Sequence, residues 1–222
     1  VYSWNDSDRK WEERRMAVYA AMVDRMDQDS GRVLQTLKEL NLETNTAVMF
    51  LSDNGSSGEE AGGRMTSQWP GPKSSYMNIG PGWAYAHNTP FRLYKTWVHE
   101  GGISTPFIVR WPGVVRPNTQ TRQIGHIIDL LPTCLDLAGA KYPREFKGNS
   151  ILPVEGRSLV PAFRGKEVPP PDLLFWEQDG NRAVRQGRWK LVWDVERKRW
   201  ELYDVQADRT ETQDLVAKLP DK

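Results

Sequence analysis

The stretch that most constrains the fold is the run Thr46-Ala47-Val48-Met49-Phe50-Leu51, which does not alternate and stops at Ser52-Asp53-Asn54-Gly55. A half-buried strand alternates polar and apolar side chains. A short continuous run predicts a strand covered on both faces, as in a sheet layered with helices. Helical periodicity precedes it: Tyr19, Met22, Val23, Met26, Val33, Leu34, Leu37 and Leu40 recur at three- and four-residue spacing, predicting a helix over 9–40 loosened at Gly31. A second strand is expected over 105–111, stopped by Pro112-Gly113, and a helix over 124–138, ended by Gly139. Between the strands, residues 56–88 are rich in Gly, Ser and Pro and read as a long loop, either functional or a floppy insertion. Helix, strand, loop, strand and helix in that order predict an α/β domain.

Beyond a Pro-, Gly- and charge-rich connection over 141–172 the texture changes. Short strand-like runs at 173–177, 183–186, 189–193 and 200–203 are separated by turn residues, which predicts an antiparallel meander. Thr210 and Gln213 have the spacing of a capping box, so a terminal helix is expected there. The domains expected are 1–165, the α/β part, and 166–222, a small antiparallel sheet with its terminal helix.

Composition excludes several classes. Lys plus Arg (30) almost balances Asp plus Glu (29), so no broad field favours nucleic acid or an anionic membrane. No run of about 18 apolar residues is present to span a bilayer. With one cysteine, Cys134, no disulfide can form within the chain, and its apolar neighbours Leu130, Leu131 and Leu135 predict a buried helical thiol. The N-terminus carries neither an initiator Met nor a signal-peptide pattern, which suggests part of a longer protein.

Two stretches could carry chemistry. Asp53 and Asn54 are adjacent oxygen donors at the carboxyl end of the first strand, where open α/β sheets place ligands, and their chemistry suits a hard divalent cation such as Ca2+. Spacing alone fits an Asn-Gly hairpin turn equally well. The run Asn88-Thr89-Pro90-Phe91-Arg92-Leu93-Tyr94-Lys95-Thr96-Trp97-Val98-His99-Glu100-Gly101-Gly102 can bring Arg92, Lys95 and His99 near an anion, although a solvated basic turn fits the pattern too. His87 and His126 have no triad partner by spacing.

Four blocks together resemble the type I sulfatases of the alkaline phosphatase superfamily, in their C-terminal half. They are Met16 to Asp27 with Gly31-Arg32-Val33-Leu34; Ser52-Asp53-Asn54-Gly55; Gly80-Pro81-Gly82-Trp83 through Lys95 to His99-Glu100-Gly101-Gly102 and Trp111-Pro112-Gly113; and Gly180-Asn181-Arg182-Ala183-Val184-Arg185 with Trp189-Lys190-Leu191 and Glu201-Leu202-Tyr203-Asp204. The resemblance implies metal-dependent hydrolysis of sulfate esters, with Asp53 and Asn54 as ligands of a calcium-type cation. It makes Lys95 the catalytic contact to the sulfate, with His99 beside it at the substrate. It also implies a formylglycine nucleophile made from Cys-x-Pro-x-Arg, a motif absent from these residues, as are the Asp-Asp pair and the Pro-His segment of family members. The 222 residues alone are therefore expected to be inactive. Family members usually also carry a histidine near Gln178, ahead of Gly180-Asn181-Arg182. The implied partner is a sulfate-ester small molecule or sulfated carbohydrate, and a periplasmic or extracellular location is expected of the family. Unpaired strands are expected to favour self-association. The rival readings are a phospho- or phosphonate-monoester hydrolase of the same superfamily and a non-catalytic module for sulfated glycans.

Overall fold

The computed structural model describes residues 5–59, 69–75 and 79–219. In chain order its elements are α1 (Asp6–Glu39), β1 (Val48–Leu51), α2 (Gly80–His87), α3 (Glu100–Ile103), β2 (Phe107–Arg110), α4 (Leu130–Ala138), β3 (Glu145–Phe146), β4 (Asn149–Ser150), α5 (Val160–Phe163), β5 (Leu174–Gln178), β6 (Asn181–Gln186), β7 (Trp189–Asp194) and β8 (Arg199–Asp204). Packing divides the chain into two units. One comprises Val1–Glu39, Leu51–Pro106 and Asp172–Lys222, and the other Leu40–Phe50 and Phe107–Pro171. The C-terminal sheet thus packs with segments from the first half of the chain.

In the first unit α1 runs through Gly31 without a break, contrary to the expected loosening. Its early turns are packed: Glu12 and Arg15 form a buried ion pair at 2.9 Å, and Trp83 Nε1 donates to the Glu12 carbonyl at 3.2 Å. Farther along, Met22, Met26 and Val33 are exposed. The meander forms as expected, with β5-β6-β7-β8 paired antiparallel in chain order. Alternation along β7 buries Lys190, Val192 and Asp194. The core gathers Val98, Ala183, Val192, Tyr203 and Val205, with Ile103 and Trp176 packed against it. Each fully buried Val contributes about 1.5–3 kcal/mol by leaving water.

The helix expected from Thr210 does not form among the described residues. Glu211 sits at φ 54°, in left-handed space, because its carboxylate is drawn into the core. The preceding Asp208 accepts hydrogen bonds from the Thr212 and Gln213 amides, both at 2.8 Å, and fixes a turn instead.

In the second unit β1 pairs with β2. Among the described residues only one face is covered: Phe50, Phe107 and Ile108 are exposed, as expected of strands whose partners lie outside these residues, while Met49 and Val109 pack against Leu159, Val160 and Phe163. The expected helix over 124–138 starts late. A 3-10 turn, Ile127–Asp129, leads into α4. His126 caps that turn by accepting from the Ile128 amide, and Asp129 accepts from the His126 amide in return. Thr133 joins α4 to α5, donating to the Asp129 carbonyl and accepting from the Leu159 amide. Cys134 is exposed rather than buried, since it points off the face of α4 that Thr133 and Leu137 turn inward. The connection over 141–172 holds the β3–β4 hairpin and α5, which its Pro and Gly content concealed. Among the described residues, no helix is long and apolar enough to cross a membrane.

Candidate functional site

Asp53 and Asn54 follow β1, and Lys95 lies in the turn-rich stretch between α2 and α3. The two segments are joined backbone to backbone: the Gly55 amide donates to the Gly102 carbonyl at 2.8 Å, and the Lys95 amide donates to the Ser56 carbonyl at 3.0 Å. Glycine is required at the crossing. A Cβ on Gly55 would lie 1.8 Å from the Gly101 oxygen, and one on Gly101 would lie 2.1 Å from the Leu93 oxygen. Asn88 braces the same crossing through its side chain, accepting from the Ser56 amide at 3.1 Å and donating to the Leu93 carbonyl at 3.1 Å. His87 stacks on Tyr19 with centroids 4.4 Å apart, and its Nδ1 lies 3.3 Å from Ser56 Oγ. Burial lowers the His87 pKa. The sequence hid this contact because His87 and Ser56 stand 31 residues apart.

Asp53 is exposed, and its carboxylate takes part in no hydrogen bond or ion pair among the described residues. Asn54 donates its amide nitrogen to the Gly55 carbonyl at 2.8 Å, and its Oδ1 has no hydrogen-bond partner among the described residues. A carboxylate beside an amide oxygen is a donor set that fits a hard cation. Calcium takes about six to eight oxygens, however, so this pair supplies a minority of a shell. No group of three or more His, Cys, Asp or Glu able to hold a metal occurs among the described residues. Lys95 Nζ lies 3.4 Å from Glu59 Oε1, with the side chains 37% and 55% exposed. A pair this open to water is worth well under about 1 kcal/mol, so an incoming anion can displace Glu59 from the ammonium. Spacing gave no hint of Glu59, which stands 36 residues before Lys95.

The three cations expected to meet an external anion separate here. Lys95 remains half-exposed, while Arg92 and His99 turn inward onto Glu201 of β8. His99 is 0% exposed, with Nε2 3.0 Å from Glu201 Oε2, so it is held by an internal carboxylate rather than at a face open to substrate. Burial takes the His99 imidazole down to about 4, against the partial support of its Glu201 bond. Arg92 Nη1 reaches the same oxygen at 3.2 Å and Tyr203 donates to it at 2.7 Å. Burial would raise the Glu201 carboxyl, but bonds from Tyr203, His99 and Arg199 hold it far below the ordinary range. Burial and the Glu201 bond push the Tyr203 phenol well above its usual value.

Beside this cluster Lys190, 0% exposed, lies 3.0 Å from Glu100 Oε1 and 2.8 Å from Glu211 Oε1. Burial acts to raise both carboxyls. Lys190 and Arg209 overcome it at Glu100, which ends below its usual value, while burial prevails at Glu211, which ends above. These contacts lock α3, and with it the glycines of the crossing, onto the sheet.

Residues 2–140 match the sulfatase family, and residues 91–221 match the family described as N-sulphoglucosamine sulphohydrolase, C-terminal. The chain is 34% identical to an uncharacterized sulfatase of Schizosaccharomyces pombe, over 99% of this chain and 44% of that protein. It is 29% identical to the N-acetylgalactosamine-6-sulfatase of Canis lupus familiaris, over 91% of this chain and 36% of that protein. The crystal structure of Ps i-CgsB in complex with k-i-k-neocarrahexaose superposes with a TM-score of 0.68 at 26% identity, covering 91% of this chain and 39% of that one. The chain thus spans less than half the length of these relatives. With residues 2–140 matching the family and a 34% identical sulfatase aligned over 99% of the chain, this chain belongs to the sulfatase family.

Proposed function

We propose that the protein carrying this chain hydrolyses sulfate esters on a carbohydrate, and that the chain supplies part of the metal shell and the cation facing the sulfate. The observation that carries this reading is the crossing: the backbone bonds of Gly55 and Lys95 set the Asp53-Asn54 pair and Lys95 on two adjacent segments. Asp53 and Asn54 would hold a calcium-type cation. When bound, such an ion polarises sulfate oxygens and orients the attacking group. The Lys95 ammonium would exchange Glu59 for a sulfate oxygen and offset the negative charge that grows as the ester bond breaks. Asn88 and the glycines hold these parts in register without touching substrate.

A carbohydrate substrate is supported by a relative named for N-acetylgalactosamine-6-sulfate and by the oligosaccharide bound in Ps i-CgsB. The experiment expresses the longest reading frame that contains these residues and assays it, with calcium, on sulfated oligosaccharides, an aryl phosphate and a phosphonate monoester. Inorganic sulfate release exceeding cleavage of both phosphorus esters is the expected result. Preference for either phosphorus ester would move the protein to the rival hydrolase class, and binding without turnover of any ester would make it a glycan-binding module.

A further inference from the structure

We infer that a cavity beside the β7–β8 turn is a subsite for a second anionic group on the same glycan, set apart from the group that Lys95 meets. The inference rests on the sulfatase reading and deepens it. The cavity measures about 420 Å³ and is bounded by Tyr85 of α2, by Arg92, Arg197 and Arg199, and by Glu211 and Asp214. That volume holds a monosaccharide-sized group.

Its place in the fold follows from the meander. Antiparallel order puts the β5–β6 and β7–β8 turns at one end of the sheet. Asn181, at the first turn, accepts from the Val195 amide of the second at 3.2 Å and donates to the Thr96 carbonyl at 3.4 Å. Thr96 follows Lys95 directly, so this end of the sheet adjoins the segment that presents the ammonium. Tyr85, which also lines the cavity, stands 6.5 Å ring to ring from Tyr94, the residue before Lys95.

The charges sort by exposure. Arg197 and Arg199 have side chains 53% exposed, whereas Glu201 beneath them is 0% exposed and its pair to Arg199 measures 2.7 Å. Glu211 turns its carboxylate inward to Lys190, and Asp194, which faces Arg197 Nε at 3.6 Å, is 2% exposed. Asp214 is the half-buried exception, and one of its oxygens accepts from the Leu202 and Val216 amides. The buried acids are committed to internal partners, so the side of the cavity open to water is mainly cationic.

Each guanidinium also keeps donors in reserve. Arg199 places Nε and Nη2 on Glu201 Oε1, leaving Nη1. Arg197 uses Nη1 there, and Arg92 uses Nη1 toward Glu201, leaving both Nη2 groups without a hydrogen-bond partner among the described residues. Planar forks with free N–H groups suit sulfate or carboxylate oxygens, and the exposed Tyr85 ring offers an apolar face for a sugar.

The test uses the protein from the longest reading frame containing the chain. Three probes are titrated by calorimetry: a monosulfated monosaccharide, a disulfated disaccharide, and a disaccharide bearing one sulfate and one uronate. Arg197→Gln with Arg199→Gln should weaken both disaccharides about tenfold or more, ~1.4 kcal/mol, and change the monosaccharide less than about twofold. Loss confined to the disulfated probe assigns the subsite to sulfate, and loss confined to the uronate probe assigns it to carboxylate. Equal effects on all three probes, or none, overturn the subsite. Should the double variant lower the melting temperature by more than about 10 °C, Tyr85→Glu decides, because no hydrogen bond or ion pair joins the Tyr85 side chain to Glu201 among the described residues. This added charge at the mouth should selectively weaken the disaccharides, and unchanged affinity overturns the proposal. Lys95→Ala, by contrast, should lower sulfate release from every probe by about a hundredfold or more. Release unchanged in Lys95→Ala contradicts the sulfatase reading itself, whatever the arginine variants do.

Discussion

Lys190→Met removes a fully buried positive charge that lies 3.0 Å from Glu100 and 2.8 Å from Glu211. Methionine fills nearly the same space, so the change is electrostatic rather than a cavity. Breaking a buried ion pair by deleting one partner costs about 3–5 kcal/mol, because the other charge stays buried without compensation. Arg209, 3.4 Å from Glu100, still supports that carboxylate, and the Glu100 amide still donates to Glu211. The lower end, about 3 kcal/mol, is therefore expected. At about 2–4 °C per kcal/mol for a chain of this size, the melting temperature should fall about 6–12 °C. The loss should depend on pH. Burial already holds the Glu211 carboxyl above its usual value, and removing Lys190 moves it further up. The penalty is full above that raised value and shrinks as pH falls through it, so the variant should lose less at pH 5 than at pH 8. Glu211→Gln in the Lys190→Met background should restore more than half the loss, since a neutral amide needs no counter-charge. Thermal melts followed by circular dichroism at the two pH values are the assay. A loss below about 1 kcal/mol, or no recovery in the double variant, would refute a buried charge cluster as the clamp on α3.

His99 holds its imidazole neutral down to about 4 in the folded chain, whereas an unfolded histidine takes up its proton near 6.5. The unfolded state binds the extra proton in that window, so stability present above about pH 6.5 should fall by about 3 kcal/mol toward pH 4; urea midpoints across the window should flatten in His99→Gln. Gly101→Ala should destabilise by more than about 3 kcal/mol, because its Cβ would meet the Leu93 oxygen at 2.1 Å, while Gly82→Ala in α2 meets nothing within 4 Å and should stabilise by about 0.5–1 kcal/mol. Chemical denaturation separates the two, and equal effects would contradict the crossing geometry. Cys134, being exposed, should react with a maleimide in the native chain at a rate close to that of a free thiol, and protection until unfolding would contradict its position on α4.

Much of the fold was legible locally. The strands of the meander announce themselves as short strand-like runs with turn residues between them, and every pairing joins neighbours in sequence. Gly139 at φ 60° ends α4 where its sequence says a helix should end. The terminal helix failed for a non-local reason. Capping-box spacing at Thr210 is a local signal, and the burial of Glu211 against Lys190, 21 positions earlier, outweighs it. Cys134 shows the same limit from the other side, because apolar neighbours in sequence do not say which face of α4 is covered. At the site, Asp53, Asn54 and Lys95 were readable as residue types in family blocks. Their braces were not. Asn88 to Ser56, His99 to Glu201 and Lys95 to Glu59 are contacts across 32, 102 and 36 residues, and a single sequence carries no trace of such pairs.

The central claim is that Asp53, Asn54 and Lys95 serve sulfate-ester hydrolysis. The direct measurement is calcium-dependent release of inorganic sulfate from a sulfated oligosaccharide, made on the longest reading frame containing the chain and on its Lys95→Ala and Asp53→Ala variants, with circular dichroism confirming that each is folded. Lys95→Ala should lower kcat by about a hundredfold or more with any calcium supplied. Asp53→Ala should shift half-activation to at least tenfold higher calcium, which separates a metal ligand from a general loss of function. Sulfate release unchanged in both folded variants would contradict the account.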